Sequence, residues 1–539
     1  MLPVKFTPVD SGLKRRILIV TGLKAKRLVE SQLEKVKERV EGEVLALPIP
    51  VAAMITPSYA ARKLSRSMVE GFDLVLLPGA VRGDLSPLRE KLGVPVFKGP
   101  RHASDIAEIL EHLEELELSP VRPACEVAAE ILERKALEKV EDLRRKALKE
   151  AEEGLGVLIR RGRAKAWWAP GAPPILLAEI ADASRLSDHE LQAKARYYVE
   201  SGADMVDVGM EAGGGKADEA ERAVKAVLKA VRVPVSIDSA DPEELKAGVK
   251  AGASLILSGD ASNLKELSKF ARKLPIVVTP ATPDGIIPES FPERVSRLEE
   301  NLQLAERLGF KRLIADPILG LAPPYSFLDS LLGYWEFSRR HPNIPTFFGA
   351  GNVTELSDVD SPGLNFALAL LGWELGAAFI FTVEASRKTF GSVRELKRSL
   401  EIVVLAAEKG APPKDLGLNL LLLKEKRLRD EPLTCEELGV EVLEAEEEAG
   451  PLRLDPKGSF KIKLDREQGF LLAFHYKRGY SKPSKAIRGR KPEHVYRKIV
   501  REGLVSRLDH AAYLGLELGK AYVALKTGRS YLQDEEIFP

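Results

Sequence analysis

The feature that most constrains the fold is an eightfold alternation of short apolar runs and helical stretches between residues 172 and 411. Apolar runs of roughly four to eight residues are typical of strands buried on both faces, as in parallel sheets. Parallel strands need long crossover connections, which are usually helices. Eight such units in succession predict a central (β/α)8 TIM barrel, and an open doubly wound sheet is the alternative.

The repeat can be followed run by run. The apolar runs are ILLAEIAD, ADMVDVGM, VPVSIDS, SLILSGD, PIVVTP, RLIADP, PTFFGAGN and AAFIFTVEASRK. Apolar residues at helical spacing predict the helices at residues 188–201, 218–231, 242–252, 263–273, 292–308, 325–340, 362–375 and 391–409.

The segments on either side of the barrel have different patterns. Residues 1–120 alternate runs such as RRILIVTG with helical stretches, which predicts a Rossmann-like or flavodoxin-like open α/β sheet domain. Residues 121–171 predict a helical connector, with one charged helix from about Pro123 to Arg163 and a break at WWAPGAPP. Together with the barrel and the C-terminal segment, these patterns predict three folded domains and one connector.

Residues 412–539 predict a C-terminal α+β domain. A strand pair, SFKIKLDREQGFLLAFHYK, precedes a segment, SKPSKAIRGRKPEH, that we interpret as a basic loop, and a helix ends the chain. The basic residues around His475 and Tyr476 suit either a solvated loop or a site for a phosphate or a polyglutamate-like tail.

Charge and cysteine content exclude several classes of protein. The 81 Lys and Arg residues nearly cancel the 80 Asp and Glu residues, so a charge of +1 predicts neither a nucleic-acid nor a membrane-surface partner. Cys125 and Cys435 lie far apart without CxxC spacing, which excludes a zinc ribbon and a disulfide framework. No signal-peptide pattern or bilayer-length apolar run occurs, so we expect a cytoplasmic protein, and 30% charged residues are typical of thermophiles.

Polar residues stand where the predicted barrel strands end, which is where TIM barrels place their active sites. Asp238 and Asp316 directly follow uninterrupted apolar runs, so both are predicted to face the barrel mouth. A helix cap or a solvated loop position is the alternative for each carboxylate of this set. The remaining strand-end candidates are Glu179, Asp182, Asp207, Glu211, Ser258, Asp260, Asn352, Glu384, Ser386, Arg387 and Lys388.

Four of these segments resemble the dihydropteroate synthase family of pterin-binding barrels. They are GADMVDVGMEAGGG (202–215), VPVSIDS (233–239), AGASLIL (251–257) and LIADPILG (313–320). GAGNVTE (349–355) is similar to the seventh strand of the pterin-dependent methyltransferases, which share this barrel. With its two extra domains, the chain resembles the archaeal proteins described as dihydropteroate synthase-related.

The resemblance implies a reduced pterin as substrate or cofactor. Asp316 would then hold the pyrimidine edge and Asp238 the other side of the ring, while Asn352, Ser258 and Asp207 would complete the pterin site. Two departures weaken the match to the synthase reaction. The family's Asn-x-Thr-x-Asp-Ser-Phe loop, which positions magnesium and diphosphate, is replaced by AEIADASRLSD. Magnesium therefore stays an open alternative without its usual motif, and we predict no metal ligands.

The second departure concerns the catalytic cations. Ser386, Arg387 and Lys388 match the synthase's Ser-Arg-Lys triplet but end strand eight instead of strand seven. Arg387 and Lys388 are the candidate catalytic residues, because a guanidinium and an ammonium both suit a leaving anion.

The resemblance implies a transferase that joins a pterin to an arylamine in folate or tetrahydromethanopterin-type metabolism. One alternative is a pterin-dependent methyltransferase that passes a methyl group to a corrinoid or a thiol, and another is a non-catalytic pterin-binding protein. The expected partners are therefore small molecules, namely the pterin and an arylamine or methyl acceptor, and a homodimer is compatible with the family.

Overall fold

The structure is a computed structural model that describes residues 14–270, 273–321, 324–414, 416–425, 442–445 and 453–538, with the backbone of 4–5. The chain divides into two compact units, Met1–Leu420 and Leu421–Pro539. Cys435 and most of the acidic run at 441–450 lie outside the described residues.

The N-terminal part is an open α/β sheet, which confirms that prediction. Strands β2, β3, β4 and β5 form a four-stranded parallel sheet in the order β3-β2-β4-β5, with a separate apolar core on each face. The strands are β1 Val4–Lys5, β2 Arg15–Gly22, β3 Val40–Leu47, β4 Leu74–Leu77, β5 Val96–Lys98 and β6 Glu117–Leu118. The helices are α1 Lys26–Lys35, α2 Pro57–Lys63, α3 Arg66–Val69, α4 Ser86–Leu92 and α5 Ile106–Glu111.

The connector differs from the prediction. Helix α6 (Ala124–Glu152) ends before Arg163, and a hairpin of β7 (Val157–Arg161) and β8 (Ala164–Trp168) follows it, so the prediction of helix through Arg163 was wrong. Two glycines end the helix: Gly154 has a left-handed φ of 87°, and a Cβ on Gly156 would strike the Trp168 carbonyl. The hairpin packs its apolar residues into the lower interior of the barrel.

Eight parallel strands close the barrel, which confirms the predicted fold class. The last strand pairs with the first, so no edge remains and the open-sheet alternative is excluded. The strands are β9 Ile175–Ile180, β10 Met205–Gly209, β11 Val235–Asp238, β12 Leu255–Gly259, β13 Ile276–Val278, β14 Leu313–Ala315, β15 Thr346–Gly349 and β16 Ala377–Val383. The helices are α7 Asp188–Glu200, α8 Ala217–Ala230, α9 Pro242–Ala251, α10 Leu264–Leu267, α11 Phe291–Arg307, α12 Phe327–Arg340, α13 Ala350–Glu355, α14 Ser361–Glu374 and α15 Ser392–Lys409.

Side-chain alternation along the strands decides which residues line the barrel interior. Leu177 and Met205 belong to the interior cluster, whereas Leu176 and Val206 pack outward against the helices. Residues two positions further along a strand share its face. The strand-end acids on the inward register therefore point into the barrel.

The second unit is a three-stranded antiparallel sheet with two helices on one face. It contains β17 (Ser459–Asp465), β18 (Phe470–Tyr476), β19 (Lys485–Gly489), α16 (Pro492–Arg501) and α17 (Leu508–Thr527). The α+β prediction is confirmed, but the segment interpreted as a basic loop contains strand β19. Strand β19 was missed because its one buried apolar side chain, Ile487, lies among basic residues, so the sequence shows no alternation of apolar and polar residues.

His475 has a structural role in this unit. Its ring is 3% exposed, with Nδ1 2.7 Å from the Ser484 hydroxyl and Nε2 2.9 Å from the Lys457 carbonyl. Both ring nitrogens are therefore satisfied within the protein.

Among the described helices, none combines the length and the apolar composition that a membrane span requires.

Candidate functional site

Glu179 on β9 occupies the barrel mouth because of a glycine on the neighbouring strand. A Cβ on Gly209 would collide with the carboxylate of Glu179, so the missing side chain on β10 makes the space that this carboxylate fills. Gly209 is in register with Asp238 on β11. Burial raises the pKa of Glu179 to about 7, with Lys194 opposing the shift and Asp182 adding to it.

Asp238 and Asp316 share one site. Burial raises the pKa of Asp238 to about 8, and the neighbouring charges of Glu179 and Asp316 add to the shift. Burial raises the pKa of Asp316 to about 6. Because Asp238 is raised by both other acids, the three carboxylates converge in the mouth, although β9, β11 and β14 are far apart in sequence.

Asp316 is held in place by the residues around it. Its Oδ1 accepts hydrogen bonds from the Tyr334 hydroxyl and from the Ile318 backbone N–H, each at 2.8 Å. These bonds lower the pKa of Asp316 against the effect of burial. The bond to Ile318 accompanies a left-handed φ of 68° at that residue, which is unusual for a β-branched side chain. Tyr334, a buried residue of α12, was missed by the sequence analysis because its position suggests only helix packing.

Asp207 lies at a different depth. It is fully buried, in register with Glu179 and Ser236, and its Oδ1 accepts the Ser236 hydroxyl at 2.6 Å. Its Oδ2 has no hydrogen-bond partner among the described residues. Burial together with Asp238 and Glu179 raises its pKa well above the ordinary range. Asp207 therefore supports the floor of the site.

Asn352 and Ser258 stand at the same end of the barrel. Asn352 in α13 is exposed, and its side-chain N–H donates to the Leu319 carbonyl at 3.3 Å, beside the loop that carries Asp316. Its amide oxygen accepts no hydrogen bond from the described residues and is free for a ligand. Ser258 is half-buried at an irregularity between β12 and β13, and its carbonyl accepts from Asn263 at 3.0 Å.

Three of the predicted strand-end acids have capping roles or remain exposed. Asp260 accepts hydrogen bonds from the backbone and hydroxyl of Ser262, and Glu384 accepts the Val393 N–H at the start of α15. Asp182 is exposed and has a left-handed φ of 52°. The capping alternative thus describes Asp260 and Glu384.

Glu211 gathers two cations that the sequence analysis did not single out. Its side chain, 7% exposed, forms ion pairs with Arg185 and Lys216 and accepts the Ser184 hydroxyl at 2.6 Å. Arg185 follows β9, and Lys216 ends a Gly-Gly-Gly-Lys loop whose three glycines all have left-handed φ values. The sequence signal that could have identified both cations is their position directly after the first two barrel strands. Both cations stay partly exposed, at 71% and 41%.

The residues of the Ser386-Arg387-Lys388 triplet, which follows the last barrel strand, differ in their contacts. Arg387 is exposed and forms no ion pair with a described residue. Lys388 donates to Asp358 at 2.9 Å, and the Ser386 N–H donates to Glu355 at 3.1 Å. Arg387 is therefore the cation of this triplet that remains available to an anion.

The site thus has half-buried carboxyl groups at the carboxyl ends of the barrel strands and cations on the loops that follow these strands. Carboxyl groups with raised pKa values accept hydrogen bonds strongly once ionised, and a ligand rich in N–H donors would favour that state. No group of three or more His, Cys, Asp or Glu side chains with metal-binding geometry exists among the described residues. The geometry suits a flat heterocycle with several donors and an anionic substituent.

Three protein-family models match parts of this chain. A family model described as pterin binding enzyme matches residues 180–359, which span the barrel from β9 to α13. A model named PterinBD-DUF4346 matches residues 454–534, and a family of unknown function, DUF6513, matches residues 15–101. The barrel and its acidic mouth therefore place the chain among the pterin-binding TIM-barrel proteins, as the sequence motifs predicted.

The chain belongs to the same family as the uncharacterized protein MJ0107 of Methanocaldococcus jannaschii. The two are 36% identical over 535 residues, which cover 97% of this chain and 99% of that protein. The dihydropteroate synthase of Bacillus subtilis is 29% identical over 147 residues, covering 24% of this chain and 51% of that enzyme. A Ycf91-like protein of Nostoc is 37% identical over 106 residues, which cover 15% of this chain and 84% of that protein.

Two solved structures resemble the barrel. The Xanthomonas albilineans dihydropteroate synthase, in complex with indole-2-carboxylic acid and 6-chloroguanine, is 19% identical, with a TM-score of 0.38 over 48% of this chain and 100% of that chain. The Thermus thermophilus enzyme in complex with 6HMPPP is 21% identical, with a TM-score of 0.36 over 46% and 98%.

Proposed function

We propose that the barrel binds a reduced pterin in its mouth and transfers the pterin to an arylamine, as dihydropteroate synthase does, in folate or tetrahydromethanopterin-type metabolism. The observation that carries the proposal is the convergence of Glu179, Asp238 and Asp316. A pterin presents amino and ring N–H donors on its pyrimidine edge, and these match carboxylate acceptors. Each such charge-assisted bond contributes about 1.5–3 kcal/mol.

The roles follow from the positions of the acids. Asp316 is oriented by Tyr334 and by the Ile318 N–H, so its second oxygen can accept from the pyrimidine edge. Asp238 and Glu179 would accept from the other ring donors, and Asn352 can both donate and accept. Ser258 is a further candidate contact, whereas Asp207 supports this layer from below.

The transfer needs a place for the leaving diphosphate. In the proposed step, the arylamine nitrogen forms a C–N bond to the 6-methylene carbon as the C–O bond to diphosphate breaks, and the amine loses a proton. Arg387, Arg185 and Lys216 would stabilise the leaving anion, with Lys388 nearby. Arg185 follows β9, where the synthase family has its magnesium and diphosphate loop, and Lys216 follows the neighbouring strand β10.

The test is incubation of the pure protein with hydroxymethyldihydropterin diphosphate and a panel of arylamines, including 4-aminobenzoate and ribosylated forms. We expect a pteroate-type product and release of diphosphate, measured by mass spectrometry. An Arg185→Ala/Lys216→Ala variant should lose turnover more than pterin binding, while Lys498→Ala in the second unit serves as the control. Tight pterin binding without product from any arylamine would contradict the transferase assignment and favour a binding protein.

A second candidate function is methyl transfer from a methylated pterin to a corrinoid or a thiol. It is favoured by Asn352, which is exposed beside the Asp316 loop and has a free amide oxygen. That position suits a water network that protonates the pterin nitrogen when the methyl group leaves. Incubation with methyltetrahydropterin and a cobalt(I) corrinoid discriminates between the two, because methylation of cobalt changes its visible spectrum.

We further propose that the barrel pairs with a second copy of the chain. Three apolar side chains of α12 are exposed at helical spacing: Leu328 at 65%, Leu332 at 39% and Trp335 at 56%.

Size-exclusion chromatography with light scattering tests this pairing. We expect a dimer at micromolar concentration, and a Leu332→Glu/Trp335→Glu variant should be monomeric because it places two charges in the contact. Leu155→Glu, which alters an apolar residue that is 66% exposed elsewhere, should leave the dimer intact. A monomeric wild type would refute the pairing.

A further inference from the structure

The second unit concentrates positive charge that the whole-chain total conceals. Residues 453–491 contain twelve Lys or Arg residues and only three Asp or Glu residues, an excess of nine, although the complete chain has a net charge of +1. The expectation that nucleic acid is not a partner was based on the complete chain. Electrostatic attraction depends on the local distribution of charge, so this part of the molecule can attract a polyanion that the charge of the whole chain does not predict.

One face of the three-stranded sheet carries three of these twelve cations, Lys461, Lys463 and Arg488, around a row of rings. On β18, Phe470, Leu472, Phe474 and Tyr476 alternate with residues that pack against the helices, so they share the opposite face. Lys461 and Lys463 of β17 lie opposite Phe474 and Leu472 in the pairing register. On the other side, Ala486 and Arg488 of β19 lie opposite the same two residues. We call this surface the basic-aromatic face.

The helices of the unit leave this face uncovered. Helices α16 and α17 pack on the other side, against side chains that include Ile462 and Ala473. Lys461, Lys463 and Arg488 are exposed and form no ion pair with a described residue. Their charges are therefore available to an anionic partner, and Asp465, in register with Phe470, is the acid of β17 that shares this face.

The rings already show how this face engages flat groups. The guanidinium carbons of Arg488 and Arg490 lie 5.0 and 4.5 Å from the centroid of the Phe470 ring. Phe474 and Tyr476, further along the strand, make no ring contact with a described residue. Alternate residues of a strand are separated by roughly 6.6 Å. Two rings at that spacing can each stack on one base of an extended single-stranded nucleic acid.

We propose that the basic-aromatic face binds single-stranded nucleic acid, with bases stacked on Phe474 and Tyr476 and phosphates on Lys461, Lys463 and Arg488. Stacking on exposed rings together with cations along the backbone is the general mode of single-strand recognition on sheets. A small-molecule site is normally concave, whereas this face is an open sheet surface. An acidic polypeptide such as polyglutamate would use the cations but would have no use for the row of rings.

The test uses the complete protein and a fluorescein-labelled single-stranded RNA of twelve nucleotides, with fluorescence anisotropy as the readout. We expect Phe474→Ala to weaken RNA binding about fivefold or more, because one stacked base contributes about 1–3 kcal/mol. Lys461→Ala/Arg488→Ala should reduce the slope of log affinity against log salt by about 1.4. Lys498→Ala, which removes a cation on α16, should change neither quantity.

Heparin, polyglutamate and duplex RNA are the competitors that separate the outcomes. Poor competition by all three, with Phe474→Ala leaving heparin binding unchanged, supports the proposal. Equal competition by heparin, or an unchanged RNA affinity of Phe474→Ala, overturns it and leaves a non-specific polyanion surface. Preference for polyglutamate assigns the face to an acidic tail instead, and no RNA binding at 100 mM salt also overturns the proposal. Circular dichroism verifies that each variant is folded.

Discussion

An Asp316→Asn variant is expected to bind reduced pterins at least about 100-fold more weakly than the wild type. The amide keeps the shape of the side chain and can still accept from Tyr334 and from the Ile318 N–H. It removes the ionised acceptor and turns an NH2 group towards the pterin donors. The loss of two charge-assisted hydrogen bonds costs about 3 kcal/mol or more, which corresponds to this factor.

The measurement is titration calorimetry with a reduced pterin, with Asp260→Asn as the control because Asp260 only caps a turn. Asp238→Asn should weaken binding in the same direction. If the Asp238→Asn/Asp316→Asn double variant kept its pterin affinity, the mouth would not be the pterin site and the proposed function would be refuted.

The raised pKa values give this prediction a pH signature. Glu179, Asp238 and Asp316 titrate near 7, 8 and 6 in the folded protein, above their ordinary values of 4.5, 3.8 and 3.8. The folded state therefore holds these protons more tightly than the unfolded state, and the stability they contribute is lost as pH rises from about 4 to about 8. Because a pterin stabilises the ionised acids, its thermal stabilisation of the protein should grow over the same interval. Asp238→Asn should flatten both trends, and parallel curves for the wild type and the variant would contradict the assignment.

An Arg144→Met variant is expected to lose about 3–5 kcal/mol of folding free energy, the largest stability effect that we predict. Arg144 on α6 donates to the Asp204 carboxylate at 2.5 Å at the lower end of the barrel, and both side chains are only 12% exposed. Asp204 also accepts the Leu176 N–H at 3.0 Å. Burial alone would raise the pKa of Asp204, but Arg144 and Lys397 hold it below the ordinary value. Methionine would leave the buried Asp204 carboxylate with Lys397, at 3.9 Å, in place of the close bond to Arg144.

Thermal unfolding with circular dichroism measures this loss, and a decrease in Tm of at least about 6 °C is expected for a domain of this size. An Arg144→Met/Asp204→Leu variant should recover part of the stability, because removal of both charges leaves no unpaired ion. Arg145→Met, at a neighbouring exposed position, is the matched control. Equal stability of the two single variants would show that the pair contributes little.

The elements of the barrel were predictable because they depend on local patterning. Apolar runs and helical periodicity repeat within short windows, so all eight strands and most helix bounds agree with the structure. The errors arose where a few residues overrode the pattern. Gly154 and Gly156 ended a helix that composition alone would continue, and basic residues hid strand β19.

The candidate site divides in the same way. Asp238 and Asp316 were predicted to share the mouth because they end apolar runs, and the structure brings them together; their role as pterin ligands stays a prediction. The ion pairs of Glu211 with Arg185 and Lys216 were not predictable, since they join loops that follow different strands.

Periodicity and motif order in the chain were therefore enough to predict a barrel of the pterin-binding family, with an open sheet before it and an α+β domain after it. Only the closed tertiary structure decided which acids act as one group. The carboxylate of Glu179 reaches Asp238 because Gly209, on the strand between them, has no side chain, and the Asp316 charge reaches the same place only when β14 is carried around the barrel. Sequence patterns report which face of its own strand a residue occupies, whereas electrostatic coupling depends on distances across strands, which barrel closure sets.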